Sequence, residues 1–181
     1  MISRKSNYQS VEYASKSLKI SIDSYLSFLD KPNLKNAAKM SIASNLAGKA
    51  ISISKTTAPH AVSYPFTSLF NISHGHAVGL FFESFFEFNY KNLDKSETNF
   101  DLKKRFNLIF EILRVSNIKQ FNSKISSIKK KAKLDDNLNN LNINLEKNSK
   151  KILSGINLLR LSNNPLKVDS EDIYKIISKK Y

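Results

Sequence analysis

The chain has 181 residues, with 29 lysines and arginines against 15 aspartates and glutamates, a net charge of +14, and no cysteine. That length suits one domain with a buried core, and the lack of cysteine excludes disulfides and thiolate metal sites. No apolar run approaches the roughly 18 residues of a membrane span, and Glu12, Lys16 and Lys19 interrupt the stretch where a signal peptide would be apolar, so a cytoplasmic protein is expected.

Apolar residues recur at helical spacing almost throughout. Val11, Leu18, Ile22, Tyr25 and Leu29 mark the stripe of a first helix from about Tyr8 to Leu29, stopped by Asp30-Lys31-Pro32. A second helix runs from about Leu34 to Ser54. Its small residues, Ala37, Ala38, Ala43, Ala47, Gly48 and Ala50, would let another helix approach closely. Thr57 is placed to cap a third helix, about Ala58 to Leu69, with Pro59 in the first turn where its missing N–H is harmless. Ser73 is placed to cap a fourth, about His74 to Tyr90, which is apolar nearly all round through Phe81, Phe82, Phe85 and Phe86 and so belongs at the centre of the domain.

Further helices are predicted at about Leu102 to Val115, Ile118 to Lys131, Leu145 to Leu159 and Ser170 to Lys179. The asparagine-rich stretch Asp135 to Asn144 reads as a low-complexity connection. Nothing demands a sheet, so the fold class is all-α. The densest basic cluster, Lys129-Lys130-Lys131 with Lys133, reads as a solvated helix face. No zinc-finger, RRM or KH signature accompanies it, and Lys, Asn, Ile and Phe, all abundant here, share AT-rich codons. Nucleic acid is therefore not the expected partner. A hydrolase reading has no Gly-x-Ser-x-Gly elbow or cysteine nucleophile to support it.

All three histidines, His60, His74 and His76, fall within one 17-residue window. Imidazole is the commonest protein ligand for a transition metal and binds through a neutral nitrogen. His60 and His74 are 14 residues apart, too far for one helix face but right for the starts of two successive helices. The positive dipole ends there disfavour imidazolium and would also attract an anion. Two ligands do not complete a zinc or iron site, and the plainer alternative is a pair of polar residues at helix starts. Glu83 and Glu87 lie roughly two and three turns beyond His74, too far along the axis to join it.

The wording Ala43-Ser44-Asn45-Leu46-Ala47-Gly48-Lys49-Ala50, then Pro59-His60-Ala61, then Ser73-His74-Gly75-His76-Ala77-Val78, resembles in order the C-terminal helical domain of iron-containing alcohol dehydrogenases. Asn89 after Phe85-Phe86-Glu87-Phe88, and Asn163-Asn164-Pro165 followed by Asp169-Ser170-Glu171-Asp172-Ile173, extend the resemblance to about Ser3–Tyr181. It implies a helical bundle of the dehydroquinate synthase-like type, residues 1–181 forming a single helical domain that is the C-terminal half of an enzyme. It also implies that His60 and His74 are two ligands of a divalent metal, iron or zinc. Family members complete the set with an aspartate and usually a histidine, on a helix before the region of Ser3-Arg4-Lys5-Ser6, and hold NAD or NADP on an N-terminal domain with a glycine-rich turn. This chain has four glycines, Gly48, Gly75, Gly79 and Gly155, no two adjacent. NAD(P) is therefore expected only with a missing nucleotide-binding half, and the chain is expected to be inactive alone.

Within the family, Ser54-Lys55-Thr56-Thr57-Ala58-Pro59-His60 together with His76 looks most like phosphonoacetaldehyde reductase-type members, which implies a small aldehyde or alcohol substrate. Lys55 would supply a point charge to a phosphonate, and Thr56 or Thr57 hydrogen bonds. Tyr64 stands where many relatives carry a second histidine near the nicotinamide. The competing readings are a non-enzymatic helical remnant, oligomeric through an exposed apolar face, and a basic binding protein.

Overall fold

The computed structural model describes residues 1–181 and contains helices and turns only, in agreement with the all-α expectation. Nine α-helices follow in order: α1 Tyr8–Asp30, α2 Leu34–Ser54, α3 Ala58–Phe70, α4 His74–Lys91, α5 Leu102–Leu113, α6 Ile118–Lys131, α7 Leu145–Ser154, α8 Leu158–Leu161 and α9 Ser170–Ser178. The asparagine richness has a structural use. Asn7, Asn33, Asn117, Asn144 and Asn157, with Asp101 and Asp169, each accept a backbone N–H of the first helical turn.

Helices α1 and α2 form a hairpin across Lys31-Pro32-Asn33, drawn together where Ser17 Oγ donates to the Ala43 carbonyl at 2.7 Å. Only part of the small-residue face of α2 is used. Ala43 and Ala50 are buried, but Gly48 has nothing within 4 Å of where a Cβ would stand, so close helix packing does not account for it. As its sequence predicts, α4 is central. Ala77, Leu80, Phe81 and Phe85 join a core with α3, α7 and α9, while Phe86 stacks on Phe121, 3.9 Å between centroids, in a second core with α5 and α6. The connection Asp135–Asn144 is polar in composition, yet two of its three apolar side chains, Leu138 and Ile143, are fully buried in the first of these cores, and the third, Leu141, packs against it.

The single helix expected from Leu145 to Leu159 is broken after Ser154. Gly155 presses against Pro65 of α3, where a Cβ would stand 3.0 Å from the proline Cβ. Pro65 lacks the N–H that would bond the Ala61 carbonyl, and the Asn157 N–H takes that carbonyl instead, at 3.3 Å. A proline in α3 and a glycine after α7 thus dock α8 against the third helix.

A second departure concerns the basic cluster. Lys130, Lys131 and Lys133 are exposed as expected, but Lys129 is buried. Its Nζ pairs with Glu83 of α4 and with Asp136 Oδ1 at 2.6 Å, and Lys180 Nζ reaches the same two carboxylates at 2.9 and 2.7 Å. Two cations and two carboxylates balance, which is what a buried charge requires. Burial alone would lower the pKa of Lys180, but hydrogen bonds to Asp136 and Glu83 more than offset it and raise it.

Candidate metal and anion site

The starts of α3 and α4 bring His60 and His74 together, their ring centroids 5.5 Å apart in an edge-on arrangement. Thr57 and Ser73 occupy the two N-cap positions, as the sequence predicts, but neither side chain makes the capping hydrogen bond. At α3 the proline and the entering backbone set the helix start instead. Burial, more than the helix end, governs the protonation of His60. Desolvation, then the neighbouring His74 and then the charge of Arg160, push its pKa down to about 4, so the ring is neutral at pH 7.

Ser63 orients its neighbour. Its hydroxyl donates to the His60 carbonyl at 2.8 Å, so toward His74 Nδ1, at 3.4 Å, the oxygen serves as acceptor. That places a proton on His74 Nδ1, so that Nε2 is the nitrogen open to a metal. The two rings therefore fit a divalent metal as a pair of nitrogen donors, His60 already neutral. No group of three or more His, Cys, Asp or Glu side chains converges anywhere in the chain, so His60 and His74 do not form a closed metal site by themselves.

Tyr64 lies beside the pair, its ring 5.7 Å from that of His74. His76 does not: Nε2 bonds the Asp135 carbonyl at 2.6 Å. Lys55 has a positive φ of 58° at the end of α2, and its Nζ turns back to the Ser52 carbonyl at 2.8 Å. Thr56 is buried and accepts a hydrogen bond from Arg160 at 2.9 Å. Arg160 is the site residue that sequence reasoning missed. It comes from α8, about a hundred residues after His60, and nothing in its local sequence announces the docking of Gly155 on Pro65 that carries it there.

Behind these residues lies a largely apolar cavity of about 520 Å³, with His60, Thr56, Val78, Phe82, Phe85 and Met1 among its walls. The Met1 α-amino group is buried, and desolvation, with Arg105 adding to it, pushes its pKa down to about 6. At the far end of α4, Asn89 and Asn164 are both buried and exchange side-chain hydrogen bonds of 3.3 and 2.9 Å. Arg4 Nε donates to the Asn164 carbonyl at 2.6 Å, tying the N-terminal segment to the loop after α8.

Solved structures with this arrangement of helices include the sulfoacetaldehyde reductase from Bifidobacterium kashiwanohense in complex with NAD+, at a TM-score of 0.84 and 22% identity over 99% of this chain and 46% of that one. The 1,3-propanediol oxidoreductase gives 0.84 and 18%, over 99% and 47%. The archaeal halo-thermophilic Red Sea brine pool alcohol dehydrogenase ADH/D1 gives 0.82 and 23%, over 94% and 44%. The chain thus spans less than half the length of these structures. No curated protein matches it. No helix is long and apolar enough to cross a membrane. The sequence profile described as Fe-containing alcohol dehydrogenase family, C-terminal, matches residues 2–181, and the chain belongs to that family as its C-terminal helical domain.

Proposed function

We propose that this chain is the metal-carrying half of a nicotinamide-dependent alcohol dehydrogenase or aldehyde reductase, acting on a small aldehyde or alcohol and inactive by itself. The observation that carries this reading is the convergence of His60, a neutral ring, with His74, in a chain that matches the family over residues 2–181. A divalent ion bound there, iron or zinc, would supply Lewis acidity toward the substrate oxygen. The chain's own residues do the rest of what is present. Ser63 fixes the ring of His74, burial keeps His60 unprotonated, and Tyr64 lies against His74.

Two donors hold a metal weakly, and the remaining ligands and the NAD(P) site would come from a nucleotide-binding half outside these residues. The Ser54–His60 wording favours phosphonoacetaldehyde or a similar small anionic aldehyde as substrate. Titration of the full chain with Co(II), followed by its visible absorption, tests the metal role. Saturable absorption that is lost in His60→Ala and in His74→Ala supports it, and unchanged affinity in His74→Ala overturns it. The catalytic role is tested by mixing the chain with the nucleotide-binding half of a family enzyme. NAD(P)H oxidation by a small aldehyde should appear only in the mixture and vanish in His74→Ala.

A further inference from the structure

We propose that Arg160 is the anion anchor of this site, and that with the Thr56 hydroxyl it holds a tetrahedral oxyanion, phosphonate, sulfonate or phosphate, on the molecule that reacts beside His60 and His74. The location of the reacting end rests on the function proposed above; the oxyanion contact does not.

The chain has four arginines, and two of the other three have carboxylate partners. Arg4 pairs with Glu97 and Arg114 with Asp23 at 3.2 Å, while Arg105, in α5 and also without a carboxylate partner, lies 5.0 Å over the ring of Phe100 and makes no contact with a histidine. Arg160 has no carboxylate within ion-pair distance although it is half-buried beside the candidate site. One guanidinium N–H donates to Thr56 Oγ1, and one face of the group rests 5.6 Å over the Tyr64 ring. A guanidinium has five donors in a planar fork, so most of that fork is left to meet a ligand. Thr56 Oγ1 accepts from Arg160 and makes no donor bond, which leaves its proton for the same ligand.

The cation is also held in place. Its backbone N–H is capped by Asn157 Oδ1 at 3.0 Å, Asn157 N–H is bonded to the Ala61 carbonyl, and Gly155 abuts Pro65. The Tyr64 ring neighbours both Arg160, at 5.6 Å, and His74, at 5.7 Å, so an oxyanion at the guanidinium lies within one tyrosine ring of the paired imidazoles. Lys55, the charge that sequence alone favours, instead faces the carbonyl end of α2. A partly desolvated cation without a counter-charge is costly unless a ligand supplies the charge, and a fork–oxyanion contact is the chemistry the group is shaped for.

The test is calorimetric and NMR titration of the full chain with methylphosphonate and with ethanesulfonate at low salt, and separately with ADP-ribose. Saturable binding with shifts at Thr56, Tyr64 and Arg160 is expected. Arg160→Gln should weaken it about tenfold or more, Arg160→Lys less, and Arg114→Gln, which removes an equal charge elsewhere, by no more than about twofold. Dependence on Arg160 for the two small anions and not for ADP-ribose assigns the oxyanion to the substrate. Dependence for ADP-ribose alone assigns it to the nucleotide. Equal losses in Arg160→Gln and Arg114→Gln, or no saturable shift at Thr56 and Tyr64, overturn the proposal. Thermal unfolding verifies the fold of Arg160→Gln, and Arg160→Lys serves in its place if that variant is unstable. Failure of the metal reading would show in the Co(II) titration of His74→Ala and would leave these anion titrations unmoved.

Discussion

Helix α4 carries a polar cluster at each of two levels, and the clusters are built on opposite principles. At its first residue His74 meets His60 and Tyr64, and Arg160 lies over the Tyr64 ring, a group with a neutral His60, a cation without a carboxylate partner and unused hydrogen-bond donors. Farther along, Glu83 meets Lys129, Lys180 and Asp136, where charges balance and almost every polar atom has a partner; only Glu83 Oε2 is buried without one. Both clusters are rich in titratable groups. Saturation separates them: the closed network answers nearly all of its polar atoms within the chain, whereas the open one keeps donors free, as the binding role proposed above requires.

The sharpest way to break that contrast is to open the closed network. Glu83→Ala should cost about 3–5 kcal/mol, because Lys129 would remain buried with only Asp136 to answer it. Urea unfolding measures this, and the same variant should leave Co(II) titration at His60 and His74 unaffected.

The open cluster predicts a pH dependence of its own. The folded-state pKa of His60 is lowered from 6.5 to about 4, so between those values the unfolded chain binds a proton that the folded chain does not. Stability from this group is complete above pH 6.5 and is lost as pH falls toward 4. Allowing for the partial exposure of the ring, the loss is on the order of 2 kcal/mol. The difference between the pH–stability curves of the native chain and His60→Gln isolates it, and parallel curves over that window would refute the buried, neutral ring.

Smaller effects probe the joints that hold the open site. Gly155→Ala forces a methyl against Pro65 and should destabilise by about 1 kcal/mol, even though the same change at an unconstrained position is commonly stabilising. It should also weaken methylphosphonate binding by displacing Arg160. Thr57→Ala, at an N-cap whose side chain makes no capping bond, should change stability by less than about 0.5 kcal/mol, well below the usual cost of losing a cap. Thermal melts of the two variants order these effects.

The local features of this protein are legible in the chain. Thr57 and Ser73 mark two helix starts, the Pro59 turn and the 14-residue spacing put two histidines at successive helix starts, and the phenylalanine run of α4 announces a central helix. These follow from backbone geometry and hydrophobic periodicity, which act within a few turns of the chain. What tertiary structure decided was the company each side chain keeps. Lys129 has the same lysine neighbours in sequence as Lys130 and Lys131, yet it alone is buried, because Glu83, Asp136 and Lys180 arrive from three other segments. The predicted helix from Leu145 ends at Gly155 because Pro65 leaves an Ala61 carbonyl for Asn157 to take. Arg160 reaches Tyr64 and Thr56 by that contact, and Lys55, adjacent to Thr56 in sequence, turns away. Helix propensity and capping are properties of neighbours along the chain, while the pairing of a buried charge or an orphaned carbonyl is settled by whichever group packing brings within hydrogen-bond reach.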